Sequence, residues 1–238
     1  MNFRDRLIYE ISIARKFAKE LKSWKTVFYF FFPWSLYGIF LLFIFFAFPP
    51  NLNWQFITVT FLYLIPPAGK ESMVPAGVLL LKSHFGVWSI AIISLSIAFV
   101  DSFVGLWMMW NWNLIKLIPF LGTYVRKLEE IGEKKWRKHR YLSKLAYLGL
   151  ALFVAFPFQG SGAVGATVIG RILGMDPRKV FYSIIVGSLF GCTLIAVASY
   201  FAIFSFEHMG KMMFVYAGIV IFIIVFIVAY LWLRGGKK

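Results

Sequence analysis

The sequence predicts an all-α integral membrane protein with four transmembrane helices, two opposed re-entrant hairpins forming an inverted repeat, and two interfacial amphipathic helices. Three observations carry this expectation. The chain of 238 residues is 61% hydrophobic and 20% aromatic, with a mean hydropathy of +0.78, a composition that a water-soluble domain of this length hides with difficulty. Two apolar stretches, 56–81 and 145–173, are interrupted midway by Pro, Gly and polar residues. Basic residues gather in three clusters that one topology alone places on the same side of a membrane.

The elements follow in order. In segment 1–26, Phe3, Leu7, Ile11, Ala14, Phe17, Ala18, Leu21 and Trp24 recur at helical spacing opposite a Lys/Arg face. That is the pattern of a helix lying on the cytoplasmic side of a membrane, not of a cleavable secretory leader. A single membrane domain follows over 27–233, with hairpins at about 54–81 and 145–174, and 234–238 forms a basic tail. Spans are expected at 27–48, 87–109, 180–206 and 212–233, each with at least the ~18 apolar residues needed to cross the hydrocarbon core.

The first interrupted stretch breaks at Pro66-Pro67-Ala68-Gly69-Lys70-Glu71-Ser72, and the second at Pro157-Phe158-Gln159-Gly160-Ser161-Gly162. Their arms, 56–65, 74–81, 145–156 and 163–173, are too short to span alone, which favours entry and return on one side. Unwound backbone at membrane depth is tolerated only where protein or water satisfies it. A matched pair of broken segments points to a transport site. The order of arm, Pro, tip, arm, Gly (Gly86 and Gly174) and span occurs twice. Segment 114–136 supplies the second amphipathic helix through Leu117, Leu121, Tyr124, Leu128 and Ile131.

Charge sets the expected topology. The formal net charge is +15, and the clusters are Arg4–Lys25, Lys116–Lys144 and Arg234–Lys238. If both broken segments crossed the membrane, the central cluster would lie outside. If both turn back, every cluster and both termini are cytoplasmic, giving a multi-pass protein of the cell membrane. The basic residues flank apolar spans, so anionic lipid headgroups are the expected partners and nucleic acid is not. Cys192 is the only cysteine, which excludes an intrachain disulfide. His84, His139 and His208 fall at loops or ends, so no metal, cofactor or enzymatic constellation is expected.

Few residues are left to carry chemistry. Lys70 and Glu71 are placed at the first tip, near the bilayer midplane, where ionisable groups are costly and usually functional. A structural alternative is a fixed ion pair of Glu71 with Lys70 or Arg171. Asp101 lies mid-span on a small, polar face with Ser94, Ala98, Ser102 and Gly105; this face suits either the wall of a hydrated path or a buried helix contact. Glu71 and Asp101 are the candidates for proton coupling. At the second tip Gly160, Ser161, Gly162 and Gly165 fit the dinucleotide pattern G-x-G-x-x-G, but the required strand-containing context is missing. Glycine there exposes backbone N–H groups at a helix N-terminus, which favours an anion; the alternative is a tight turn alone. Arg171 either reaches inward as an anion receptor or snorkels outward. Ser183, Gly187 and Gly191 form a small face expected to pack against a hairpin.

The run Phe156-Pro157-Phe158-Gln159-Gly160-Ser161-Gly162-Ala163-Val164-Gly165-Ala166, followed by Ile172-Leu173-Gly174, resembles the signature of the putative small multi-drug export protein family, with Phe156 and Gln159 where prolines are commoner. Glu71-Ser72-Met73-Val74-Pro75 is similar to a stretch of the more distant DedA (VTT-domain) superfamily. The resemblance covers roughly 56–200 and implies opposed re-entrant hairpins with transport of lipid-linked phosphates or other ions, driven by protons. Val154 and Gly160 stand where DedA proteins carry an arginine pair. A phosphate role would therefore fall to Lys70, Arg171 and backbone N–H groups.

The functional expectation is thus a DedA-like transporter coupling protons, or another ion, to translocation or flipping of an anionic or lipid-linked phosphate substrate. Its substrate-binding groups would be Lys70, Gly160, Ser161, Gly162, Gly165 and Arg171. Export of cationic drugs through the carboxylates and a non-transporting, lipid-organising scaffold are the alternatives. A homodimer is compatible with all three.

Overall fold

The computed structural model describes residues 24–116, 129, 143–158, 161–209, 218–220 and 222–223. The expected helices over 1–26 and 212–233, most of 114–136, Gln159 and Gly160, and the 234–238 tail lie largely or wholly outside the described residues.

All described elements are helical. They are α1 (Trp24–Ala47), α2 (Pro50–Leu62), α3 (Lys70–Phe85), α4 (Trp88–Trp110), α5 (Trp112–Ile115), α6 (Ser143–Ala155), α7 (Ala163–Ile172) and α8 (Pro177–Met209). Three of them, α1, α4 and α8, are long and apolar enough to cross a membrane. They correspond to three of the four expected spans and make this a multi-pass membrane protein.

Proline and glycine set the boundaries. Pro50 opens α2 at its first turn, where a missing N–H costs nothing. α2 stops ahead of Pro66-Pro67, and α6 stops two residues before Pro157, since a helical residue is disfavoured just before proline. Pro177 opens α8, and the Asp176 carboxylate accepts the Arg178 N–H at 2.9 Å.

The first break lies earlier than the sequence suggests. Lys70, Glu71 and Ser72 are not part of the irregular tip but form the first turn of α3. Gly69 caps that helix in an extended conformation, and its N–H donates to Ser72 Oγ at 3.2 Å.

Gly86 and Gly174, ending α3 and α7, have φ of 53° and 66°. These values turn the chain sharply into the following long helix, and side chains rarely adopt them. A Cβ on Gly86 would meet nothing within 4 Å. Gly86, with ψ of −129°, lies outside even the left-handed helical region, so Gly86→Ala is expected to cost about 1–3 kcal/mol from backbone strain alone, measurable as a fall in the thermal midpoint in detergent.

α4 and α8 pack together at the centre. α3 and α7, each the second helix of its pair, rest on both of them. Two apolar cores result. One joins Ile44, Leu52, Phe56, Val74, Val78, Ile93, Ile97 and Cys192 around the first pair. The other joins Leu150, Val154, Ala163, Ala166, Val180 and Ile184 around the second. The outward faces stay apolar, as at Phe43, Phe46, Leu95, Phe190 and Phe201, which suits contact with lipid tails.

The Ser183/Gly187/Gly191 face packs against α6, the first arm of the second pair. Cβ atoms on Gly187 and Gly191 would run into the backbone carbonyls of Ala151 and Ala155. Ser183 Oγ donates to the Tyr147 carbonyl at 3.1 Å.

A buried ion pair where the two breaks meet

The two broken segments line one cavity of about 460 Å³. From the first come Tyr63, Pro66, Pro67, Gly69 and Lys70, and from the second Phe158, Ser161, Gly162, Ala163 and Val164. Asp101 and Val104 of α4 close the wall. Only Lys70 and Asp101 among these residues carry charge.

Those two groups face each other. Lys70 Nζ lies 2.9 Å from Asp101 Oδ2, and each side chain is 4% exposed. Lys70 is thus paired with Asp101 and not with Glu71, the partner the sequence offered, because the first turn of α3 points it across to α4. Asp101 also accepts the Tyr63 hydroxyl at Oδ1 (2.8 Å) and the Ser188 hydroxyl at Oδ2 (2.6 Å). A buried carboxylate with three donors is well compensated for leaving water.

The broken second segment completes the arrangement with its two helix ends. Lys70 Nζ donates to the Val154 carbonyl at 2.8 Å. That carbonyl lies in the last turn of α6, where C=O groups have no intrahelical donor and the helix dipole favours a cation. Gly162, capping α7, comes so close to Asp101 that a Cβ there would sit 3.2 Å from Oδ1 and 3.6 Å from the Tyr63 hydroxyl. Asp101 therefore lies beside the positive end of α7, the end that favours an anion. One break supplies a negative helix end for the lysine and a positive one for the aspartate.

The match of the putative small multi-drug export protein family runs from the first turn of α3 to far along α8, over residues 71–194 and more than half of the chain. The chain belongs to that family. No curated protein and no solved structure matches it. The matched region contains Asp101, Gly162 and Ser188, while Tyr63 and Lys70 come from the segment just before it.

The remaining candidates divide. Ser161 lines the cavity, but its hydroxyl lies 2.6 Å from both the Phe156 and Phe158 carbonyls and so holds the turn. Gly165 lies within α7, away from the lining, and Gly160 lies outside the described residues. Glu71 is exposed, its carboxylate folded back over Gly69. Arg171 is not at the cavity either; its guanidinium lies 5.7 Å from the centre of the Trp112 ring. Trp112 in turn donates to Glu129 at 2.7 Å, and Lys116 pairs with the same carboxylate at 3.0 Å. Of the small face on α4, Ser94, Ala98, Asp101 and Gly105 are buried, so it serves largely as a helix contact.

Sequence reasoning missed Tyr63, Ser188 and the Val154 carbonyl. Ser188 left only the weak signal of a hydroxyl inside an apolar run, and a carbonyl leaves none.

Proposed function

We propose that this protein exports amphipathic organic cations in exchange for protons, with Asp101 as the shared binding group. The observation that carries the reading is that a carboxylate, Asp101, already pairs with the cavity's cation and lies beside the N-terminus of α7. An external anion would have to enter against that carboxylate. A cation has a carboxylate to reach, together with the aromatic faces of Tyr63 and Phe158 and a largely apolar wall. Membership of an export family supports the same direction.

In this reading α2/α3 and α6/α7 are opposed re-entrant hairpins and α1, α4 and α8 cross the bilayer, joined by a fourth span over 212–233. Lengths of 13, 16, 13 and 10 residues give about 15–24 Å of helix, short of the ~30 Å core. The basic clusters then lie in the cytoplasm against anionic headgroups, with both termini. Transport proceeds as Asp101 trades a proton for the substrate when the cavity opens to either side. Nothing in the reading calls for catalysis.

A second reading, proton-coupled flipping of an anionic or lipid-linked phosphate, draws support from Lys70 and the N–H groups that open α7. It requires the substrate to displace Asp101.

Flux into proteoliposomes decides between them. Tetraphenylphosphonium uptake driven by a pH gradient is expected for wild type, falling at least about tenfold in Asp101→Asn, the equivalent of roughly 1.4 kcal/mol of lost interaction. Glu71→Gln, altered outside the cavity, is expected to fall less. Wild-type rates in Asp101→Asn would end the proposal. Flux of a lipid-linked phosphate without cation flux would favour the second reading, and no flux of any solute would favour a lipid-organising scaffold.

A further inference from the structure

We infer that Lys70 is a tethered competitor for the transported cation, holding Asp101 while the cavity is empty and releasing it when substrate arrives, kept in place by the Val154 carbonyl it already binds. This rests on the cation reading above and adds the regulation of that same site.

The argument begins with charge. A lipophilic cation cannot settle on Asp101 while an ammonium lies 2.9 Å from Oδ2, because two like charges would share one carboxylate in a site poor in water. Binding must therefore be an exchange. Lys70 is built for one. It is the first residue of α3, at the positive end of that helix, where a cation is disfavoured; its place there depends on the contacts it makes across the cavity.

It also has a second anchor. The Val154 carbonyl, which already accepts from Nζ at 2.8 Å, belongs to the last turn of α6 and attracts a cation independently of Asp101. An ammonium on a flexible four-carbon stem can shift its weight from one partner to the other without moving α3. Tyr63 and Ser188 do not depend on Lys70 and still donate to Asp101 after the exchange. The carboxylate stays in position for its new partner. The pair is neutral in the empty state; with substrate on the carboxylate the cavity carries one net positive charge, and the proton that replaces the substrate on Asp101 leaves before Lys70 pairs with it again.

The experiment is equilibrium binding of tetraphenylphosphonium to the full-length purified protein in detergent, with size exclusion to confirm a monodisperse fold. Lys70→Met is expected to bind at least about tenfold more tightly than wild type, because the competitor is gone. In proteoliposomes the same variant should show KM and kcat falling together, since substrate bound without competition leaves slowly. A merely structural lysine predicts the opposite, weaker binding and a raised KM. Unchanged or weaker binding by monodisperse Lys70→Met would overturn the inference. Should that variant fail to fold, Lys70→Arg decides. A guanidinium that can grip Asp101 with two bonds should weaken binding about tenfold, and equal or tighter binding would overturn the inference. Asp101→Asn separates the two levels. If it binds the cation as wild type does, the cation reading itself fails, whereas loss of binding there with no gain in Lys70→Met sinks only the competitor.

Discussion

Asp101→Leu is expected to destabilise the protein by about 3–5 kcal/mol, the cost of leaving one member of a buried ion pair without its partner. Lys70 would keep only the Val154 carbonyl, at the N-terminal end of α3 where its charge is unwelcome. The Tyr63 and Ser188 hydroxyls would lose their acceptor as well. Lys70→Met is expected to cost less, about 2 kcal/mol, because two hydroxyls continue to donate to the carboxylate. The double variant Lys70→Met/Asp101→Leu should recover at least about 2 kcal/mol relative to Asp101→Leu, since no charge is then stranded. Denaturant unfolding in mixed micelles measures all three. Strict additivity of the two single changes would mean that the groups do not touch, and the cavity would lose its central feature.

Gly191→Ala should lower stability toward the upper end of the roughly 1–3 kcal/mol seen for overpacking. A Cβ there would overlap the Ala155 carbonyl and lie 2.6 Å from the Ala155 Cα, and backbone cannot swing aside as a side-chain end can. The same substitution at Gly149, inside α6 with nothing within 4 Å, should instead stabilise by about 0.5–1 kcal/mol through helix propensity. The opposite signs isolate packing from propensity. Thermal unfolding of both variants, with Gly187→Ala as a second close contact, provides the comparison. If Gly191→Ala gained stability as Gly149→Ala does, α8 would not be seated on α6. The consequence reaches the site, because Val154 both holds Lys70 through its carbonyl and packs beside Gly187.

The two levels of this protein were unequally legible. Hydrophobic runs of adequate length identified α1, α4 and α8, since a membrane span needs nothing beyond its own composition. Prolines and glycines located both interruptions, because the missing N–H of Pro and the positive φ of Gly86 and Gly174 act within a few residues. The small face of α8 was readable for the same reason: close backbone approach excludes side chains wherever the partner lies. The boundary at Lys70 was harder, as one glycine and one serine decided that the charges begin a helix instead of ending a loop.

Who pairs with whom was not legible at all. Lys70 had Glu71 beside it in sequence and Asp101 thirty-one residues away, and the distant carboxylate took the contact. Composition and spacing determined that the chain is a helical membrane protein with two broken segments and few ionisable groups inside, and the motif at the second break carried its resemblance to the export family. Tertiary structure alone decided that both breaks share one cavity, that Asp101 lies beside the N-terminus of α7, and that Tyr63, Ser188 and a carbonyl of α6 serve the pair. The reason is physical. Local backbone preferences are properties of neighbouring residues, whereas the satisfaction of a buried charge depends on groups that only the packing of α3, α4, α6 and α8 brings within 3 Å of one another.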